Sequence, residues 1–123
     1  MKIGVIVAME SEYEALLNAG VENVVKAGIG KVNAARATAE LILTERPDCI
    51  INSGVAGGID NCLKVGDFVL GSQVAYHDVW CGEVNLRGQV QGLPQRFCAD
   101  SSLLSCARGL KAENMTLHEG LIC

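Results

Sequence analysis

The N-terminal segment constrains the fold of this chain more than any other. Residues Lys2–Ala8 form a continuous apolar run rich in Ile and Val, without the polar alternation of a strand that has one face in solvent. Such a run is typical of a strand buried on both faces of a parallel sheet. Because parallel neighbours are joined by long crossovers, which are usually helical, we expect helices between the strands.

Strand and helix patterns do alternate along the 123 residues. The strands predicted after the first are Val21–Lys26, Cys49–Asn52, Val65–Leu70, Gln73–His77 and Leu117–Cys123. The predicted helices are Met9–Leu17, Lys31–Glu45 and Ser101–Leu110, and a polar, Gly-rich loop is expected over Tyr76–Phe97. This order predicts an α/β three-layer sandwich around a central mixed, largely parallel sheet.

The helix predicted at Lys31–Glu45 has the clearest periodicity. We expect its core side to be an apolar stripe of Val32, Ala35, Ala39 and either Ile42 or Leu43. The water side is expected to carry Arg36, Glu40 and Glu45.

Two features of the chain are unusual for a complete domain of this class: one crossover and the C-terminal strand. The crossover over residues 9–20 has twelve residues, the lower limit for joining parallel strands. The chain also stops on Leu117–Cys123, a predicted core strand, where a terminal carboxylate is costly. We therefore expect one domain over residues 1–123 that lacks its C-terminal half and a segment between residues 17 and 21.

Charge and hydropathy exclude several classes of protein. Fourteen Asp and Glu against ten Lys and Arg give a net charge of −4, which argues against a nucleic-acid partner. No apolar run reaches the roughly 18–20 residues of a membrane span. The N-terminus lacks the apolar core and cleavage site of a signal peptide, so a cytoplasmic location is expected.

The cysteines and glycines indicate no cofactor. The six cysteines contain no CxxC pair, and His77 and His118 are not spaced as ligands beside any of them, so neither zinc nor another metal is expected. Reduced, mostly buried thiols are the simplest interpretation. The two glycine turns, Ala27–Lys31 and Gly54–Gly58, match neither GxGxxG nor a P-loop, which disfavours a dinucleotide or ATP.

Glu10 and Glu12 are the first candidates for chemistry, because they follow a buried strand at its carboxyl end. One interpretation is a pair of solvated acids favoured by a helix N-terminus. The other is a general base, enclosed by Ala8 and Met9, with a raised pKa. The glycine turns also follow strands, so they are either plain chain reversals or the floor of a small-molecule cleft.

The segment Tyr76–Asp78 looks like a catalytic group, but neighbours on a strand point to opposite faces. His77 and Asp78 are therefore expected to have a structural role. Trp80 follows in the loop, where an exposed Trp is typical of an interface.

Five motifs in one order carry a family resemblance: MKIGVIVAMESE at 1–12, AGIGKVNAA at 27–35, INSGVAGGID at 51–60, LKVGD at 63–67 and YHD at 76–78. Together they resemble the 5′-methylthioadenosine/S-adenosylhomocysteine nucleosidases of the nucleoside phosphorylase superfamily. The resemblance covers the whole chain but only about the first half of the family's usual length. It implies hydrolysis of an N-glycosidic bond, with release of adenine and no cofactor.

The resemblance also implies roles for individual residues. Glu12 would activate the attacking water. Residues expected to line the pocket are Ala8, Met9, Ile29, Val55, Ala56 and Gly57. Val55 stands where the family commonly has serine, a change that we interpret as tolerated. The loop from Cys81 to Pro94 would reach the pocket of a neighbouring subunit, which implies a homodimer.

Phosphorylases of the same superfamily carry Arg near the first strand to hold phosphate. Here the stretch is acidic, with Glu10, Glu12 and Glu14, which favours water as the nucleophile. The family's ribose-binding Met-Glu segment and its adenine-protonating Asp would lie beyond Cys123, so we expect these 123 residues alone to be inactive. The alternatives are a related phosphorylase, another nucleosidase of this fold, or a non-catalytic nucleoside-binding half domain. A receiver or flavodoxin-type domain is disfavoured, because Cys49–Asn52 is not followed by a phosphoacceptor Asp.

Overall fold

A computed structural model describes residues 1–110 and 116–123. The fold is mixed α/β and divides into two compact units, Met1–Gly57 and Gly58–Cys123. In chain order the elements are β1 (Ile3–Val7), α1 (Glu10–Asn18), β2 (Val24–Lys26), α2 (Lys31–Glu45), β3 (Cys49–Asn52), β4 (Phe68–Val74), β5 (Phe97–Cys98), α3 (Ser101–Arg108) and β6 (Leu117–Ile122). Of the four strand pairings within these described residues, three are parallel, which confirms the α/β class with a largely parallel arrangement of strands.

The first unit contains a three-stranded parallel sheet in the order β2-β1-β3. As the apolar run predicts, β1 is the central strand, and Val5, Ile6 and Val7 are buried. The chain moves from β1 to one neighbour and then crosses to the other, so β1 is a topological switch point. The carboxyl ends of the three strands, at Val7, Lys26 and Asn52, lie at one edge of the sheet.

Helix α2 has the predicted bounds but faces the sheet with a different side. Its buried residues are Ala37 and Leu41, whereas Val32 is 83% exposed and Leu43 is 76% exposed. The predicted stripe was therefore wrong. The reason is close packing on Gly4 of β1, where an added Cβ would stand 2.7 Å from Leu41 Cδ2.

The second unit contains a three-stranded sheet in the order β5-β4-β6, with β5 antiparallel and β6 parallel to β4. One strand, β4, replaces the two strands predicted at Val65–Leu70 and Gln73–His77. The strand runs through Gly71 with a shift in register between Gly71 and Gln73. Gly71 lies against Ile122, where an added Cβ would be 2.9 Å from Cγ1. The two-residue strand β5 was not predicted.

Side-chain contacts connect β6 to its surroundings within this unit. Arg108 of α3 donates to both carboxylate oxygens of Glu119, at 2.8 and 2.7 Å. His118 Nε2 lies 3.0 Å from Asp67 Oδ2, and the same carboxylate oxygen accepts from the backbone N–H of Lys64. These contacts anchor β6 to α3 and to the turn that precedes β4.

The cysteines are free thiols, as predicted, but they are not mostly buried. Cys49 is half-buried, and the other five are exposed. Over residues 1–110 and 116–123, no three His, Cys, Asp or Glu side chains form a group that could hold a metal ion. None of the helices in the described part of the chain is long and apolar enough to cross a membrane.

Candidate functional site

Two clefts open at the carboxyl edge of the first sheet, where open α/β sheets bind their ligands. One has a volume of about 280 Å³ and the other about 310 Å³. Both are lined by Glu12 and by the segment Ser53–Val55, which follows β3. The larger cleft is also lined by the glycine turn that follows β2. The segments that follow three adjacent strands therefore surround one carboxylate.

Glu12 is held by three backbone N–H groups, from Ala8, Met9 and Val55, which we call the cradle. Its Oε2 accepts from Ala8 N at 3.0 Å and from Met9 N at 2.8 Å. Its Oε1 accepts from Val55 N at 3.0 Å. Since Glu12 is in the first turn of α1, the contact with Met9 also closes one half of a capping box. The cradle joins the segment after β1 to the segment after β3.

The cradle lowers the pKa of Glu12 below its usual value. The hydrogen bond from Met9 N has the largest effect, and those from Val55 N and Ala8 N act in the same direction, against a partial desolvation that raises the pKa. The expectation of a raised pKa was therefore wrong. Ala8 and Met9 do flank Glu12, but they act through their N–H groups rather than as apolar walls. The side chain is a carboxylate at neutral pH.

The larger cleft owes its second wall to the backbone of the glycine turn. Gly28 has φ +91° and Gly30 has φ +99°, conformations that side chains with a Cβ rarely adopt. The side-chain amide of Asn33 donates to the carbonyl of Ile29 at 2.8 Å and lies against Gly28. This hydrogen bond fixes the turn against the start of α2.

Glu10, the other acidic candidate, forms an ion pair with Lys26 at the end of β2. Both side chains are largely exposed. Glu10 lines neither cleft. The two acids that the sequence places together therefore separate: Glu12 enters the site, and Glu10 pairs with a lysine on the neighbouring strand.

The predicted pocket residues divide in the same way. Ala8, Met9 and Val55 line the clefts with Glu12. Ile29 is 73% exposed, and neither it nor Ala56 or Gly57 is among the lining residues.

Three polar residues that line the larger cleft were not among the predicted site residues: Lys31, Asn52 and Ser53. Ser53 lines the smaller cleft as well, and its backbone N–H donates to the carbonyl of Ile6. The available signal was position: Lys31 is the last residue of the first glycine turn, Asn52 ends a predicted strand and Ser53 directly follows it. The Lys31 side chain adds a positive charge to the lining of the larger cleft, which Glu12 also lines.

The loop predicted to reach a partner subunit belongs to the second unit. Cys81 and Pro94 are exposed, and so are the apolar side chains of Trp80, Val84 and Leu86. Hydrogen bonds hold the loop's backbone, including one from Gly88 N to Val79 O at 2.8 Å. His77 and Asp78, at the start of the loop, are both exposed.

Known proteins resemble the chain in both sequence and structure. The sequence profile of the phosphorylase superfamily matches residues 14–123. A 5′-methylthioadenosine/S-adenosylhomocysteine nucleosidase of an Exiguobacterium species is 37% identical over 146 aligned residues, which cover 99% of this chain and 63% of that protein. The chain thus spans under two thirds of the length of this curated relative.

Two crystal structures of such nucleosidases resemble the fold. The Neisseria meningitidis enzyme, in complex with methylthio-immucillin-A, has a TM-score of 0.85 and 38% identity, over 97% of this chain and 62% of that one. The Colwellia psychrerythraea enzyme, in complex with adenine, has a TM-score of 0.89 and 35% identity, over 98% and 60%.

Proposed function

The chain belongs to the phosphorylase superfamily, and from this membership we propose that it is part of a hydrolase and carries the residue that activates water. The whole enzyme would hydrolyse the N-glycosidic bond of 5′-methylthioadenosine and of S-adenosylhomocysteine and release adenine. The observation that carries the proposal is the ionised carboxylate of Glu12 at the junction of two clefts. The names and ligands of the similar nucleosidases support the choice of substrates.

The proposed reaction is a displacement at the anomeric carbon of the ribose. As the bond to adenine lengthens, positive oxocarbenium character develops on the sugar, and a nearby carboxylate stabilises it. Glu12 also accepts a hydrogen bond from the attacking water, so that a lone pair of the water faces the anomeric carbon. The water supplies the new hydroxyl group and passes its other proton to Glu12, and adenine leaves with the electron pair of the broken bond and takes a proton from the adenine-protonating group that the resemblance implies.

The lowered pKa of Glu12 suits electrostatic stabilisation better than full proton abstraction before bond cleavage. A carboxylate held by three N–H groups keeps its negative charge while the sugar becomes positive. Its proton affinity is lowered in the free protein, so the water is deprotonated only as its bond to the sugar forms.

We assign the substrate-binding roles by position. Ala8 and Met9 lie at the cleft beside Glu12 and would contact the sugar and its alkylthio group, with Ile29 at the exposed edge of the neighbouring turn. Val55, with Ala56 and Gly57 following, would lie beneath the nucleoside.

Hydrolysis is favoured over phosphorolysis by charge. The first turn of α1 contains Glu10 and Glu12 and no arginine. Lys31 lines the larger cleft, and its positive charge would favour an anion there. Phosphate dependence of adenine release separates the two reactions.

We further propose a cytoplasmic homodimer that acts in methionine salvage and the recycling of S-adenosylhomocysteine. The exposed apolar side chains of Val84 and Leu86 support a subunit contact between Cys81 and Pro94. A single concentration series by analytical ultracentrifugation tests the dimer.

The 123 residues alone are proposed to be inactive, because the ribose-binding and adenine-protonating groups that the resemblance implies lie beyond Cys123. We also propose that a segment is absent between residues 17 and 21. The alignment with the Exiguobacterium enzyme supports this, since it extends over 146 positions against 123 residues in the chain.

Adenine release from 5′-methylthioadenosine tests the proposal. The 123-residue chain is compared with a hybrid in which the Exiguobacterium enzyme supplies both the segment proposed to be absent between residues 17 and 21 and the part that follows Cys123. We expect no turnover from the chain, and turnover without added phosphate from the hybrid. Loss of that turnover in the Glu12→Gln hybrid is also expected; a hybrid that works equally well without Glu12 would contradict the proposed role.

Binding without catalysis is the second candidate. It is favoured by the cleft itself, which in the described residues contains one carboxylate, Glu12, and no second acid. Calorimetric titration of adenine and of 5′-methylthioadenosine into the 123-residue chain tests it. Saturable binding by the chain, together with an inactive hybrid, would favour the binding module.

A further inference from the structure

We propose that Gly54 is a positioning residue for Glu12: the absence of a side chain at Gly54 leaves room for Oε1, the carboxylate oxygen that meets the substrate or the attacking water. The identity of the group that donates to Oε1 rests on the proposed function. The position of Oε1 beside Gly54 rests only on contacts within the first unit.

The hydrogen bonds of Glu12 are unequally divided between its two oxygens. A carboxylate oxygen has about two acceptor positions. Oε2 already accepts from Ala8 N and Met9 N, so both of its positions are filled. Among the residues that the structure describes, Oε1 accepts only from Val55 N, which leaves one position. A water or hydroxyl group that donates to Glu12 therefore meets Oε1 rather than Oε2.

Gly54 lies directly against this oxygen. A Cβ added at Gly54 would stand 2.8 Å from Oε1, 3.3 Å from the carboxyl carbon and 3.6 Å from Oε2. Carbon and oxygen atoms without a hydrogen bond between them do not approach this closely, so a methyl group would displace the carboxylate. Oε1 would move most, because it is the nearest atom.

Backbone conformation does not explain the glycine. Gly28 and Gly30, in the other turn of the cleft, have positive φ, whereas Gly54 does not. An alanine could therefore adopt the backbone of residue 54 without strain, and what excludes it is the contact with Glu12. Glycine is required at position 54 because the Glu12 carboxylate occupies the space that a Cβ would fill.

The pKa of Glu12 in the 123-residue chain tests this placement without any enzymatic activity. The carboxyl carbon is followed by ¹³C NMR through a pH titration of wild type and of Gly54→Ala. We expect the alanine to weaken the bond from Val55 N and to raise the pKa of Glu12 towards that of a free glutamate, about 4.3. Gly120→Ala is the matched control, because Gly120 has no positive φ and no atom near an added Cβ. An unchanged Glu12 pKa in Gly54→Ala would overturn the proposal.

A double-mutant cycle by thermal unfolding covers the case in which Gly54→Ala is too unstable for the pH titration. In the Glu12→Ala background the carboxylate is gone, so adding Gly54→Ala is expected to leave Tm almost unchanged, while the same change in wild type lowers it by several degrees. An equal loss of Tm in both backgrounds would show that Gly54 acts through something other than Glu12 and would overturn the proposal. If the hybrid is inactive while both tests succeed, the proposed function fails and the placement of Oε1 stands.

Discussion

The backbone N–H of Val55 donates to Oε1 of Glu12 at 3.0 Å, across 43 residues of chain. Since Oε2 accepts from the segment that follows β1, this one side chain joins the ends of two adjacent strands. The side chain proposed to act on the substrate therefore also connects the segments that follow β1 and β3. Stability and chemistry at this site can be measured separately.

Replacing Glu12 with glutamine is expected to lower the free energy of unfolding at pH 7 by about 2 kcal/mol. A glutamine amide has one acceptor oxygen, so it cannot accept from all three N–H groups of the cradle, and its NH₂ group would face a donor. Urea unfolding measures the loss. Glu14→Gln is the control: Glu14 is exposed on the same helix, and a change within about 0.5 kcal/mol is expected. Equal losses in the two variants would show that the cradle does not stabilise the fold.

The stabilisation by Glu12 is expected to depend on pH in a defined direction. The folded pKa of Glu12 is lowered, so its contribution is present above the unfolded pKa of about 4.3 and is lost as the pH falls through the folded value. The difference in stability between wild type and Glu12→Gln should therefore be constant from pH 7 to about 5 and shrink below about pH 4. Unfolding series at each pH measure it, and a difference that grows on acidification would contradict the assignment.

Leu41→Ala is expected to cost about 2–5 kcal/mol, because Leu41 is buried against Gly4 under the first sheet. Leu43→Ala, on the opposite side of the same helix, is expected to change stability by less than about 0.5 kcal/mol. Chemical denaturation of the two variants tests the observed orientation of α2. A larger loss for Leu43→Ala would favour the stripe predicted from the sequence.

Asp67→Asn is expected to lower Tm by a few degrees at pH 7. Asp67 has a lowered pKa, caused chiefly by the hydrogen bond from Lys64 N and also by His118. The contribution of Asp67 is therefore present above its unfolded pKa and is lost as the pH falls through the lower folded value. Differential scanning calorimetry should show a smaller drop for His118→Gln, which keeps the bond to Lys64 N. A larger drop for His118→Gln would mean that the His118 contact is the stronger one.

Val55→Ser is expected to change kcat/KM of the hybrid by less than about tenfold. The contact with Glu12 is made by the backbone N–H of residue 55, which the substitution keeps. An added hydroxyl group supplies one further polar contact, worth about 1 kcal/mol or about fivefold. Steady-state kinetics with 5′-methylthioadenosine measure the ratio. A gain of a hundredfold would show that the side chain, and not the backbone, does most of the binding here.

Elements with strong local signals could be predicted closely from the sequence. The apolar run of β1 and the glycine and proline that flank α2 mark their own boundaries, and the structure agrees. The buried face of α2 could not be predicted, because an Ala-rich helix offers two stripes of similar hydropathy. Choosing between them depends on Gly4, which admits Leu41 from a helix 37 positions away in the chain.

The candidate site shows the same division. Glu12 could be singled out because it is an acid at the end of a buried strand. Its partners could not, because they are backbone N–H groups, which every residue except proline possesses. The direction of its pKa shift depends on those groups, so the sequence, which shows only the apolar side chains of Ala8 and Met9, favoured the opposite direction. The unbroken strand β4 was missed for a related reason: Gly71 looks like a turn until its neighbour Ile122 is known.

The bond between Val55 and Glu12 also supplies a reporter within the polypeptide itself. An amide proton bound to a carboxylate exchanges with deuterium more slowly than one exposed to water, and its NMR frequency follows the charge on its acceptor. The Val55 amide should therefore register protonation of Glu12, or occupation of its remaining acceptor position, with no label on the ligand. Nucleosides can then be screened for binding to this chain by following the NMR peak of the Val55 amide, without any catalytic turnover.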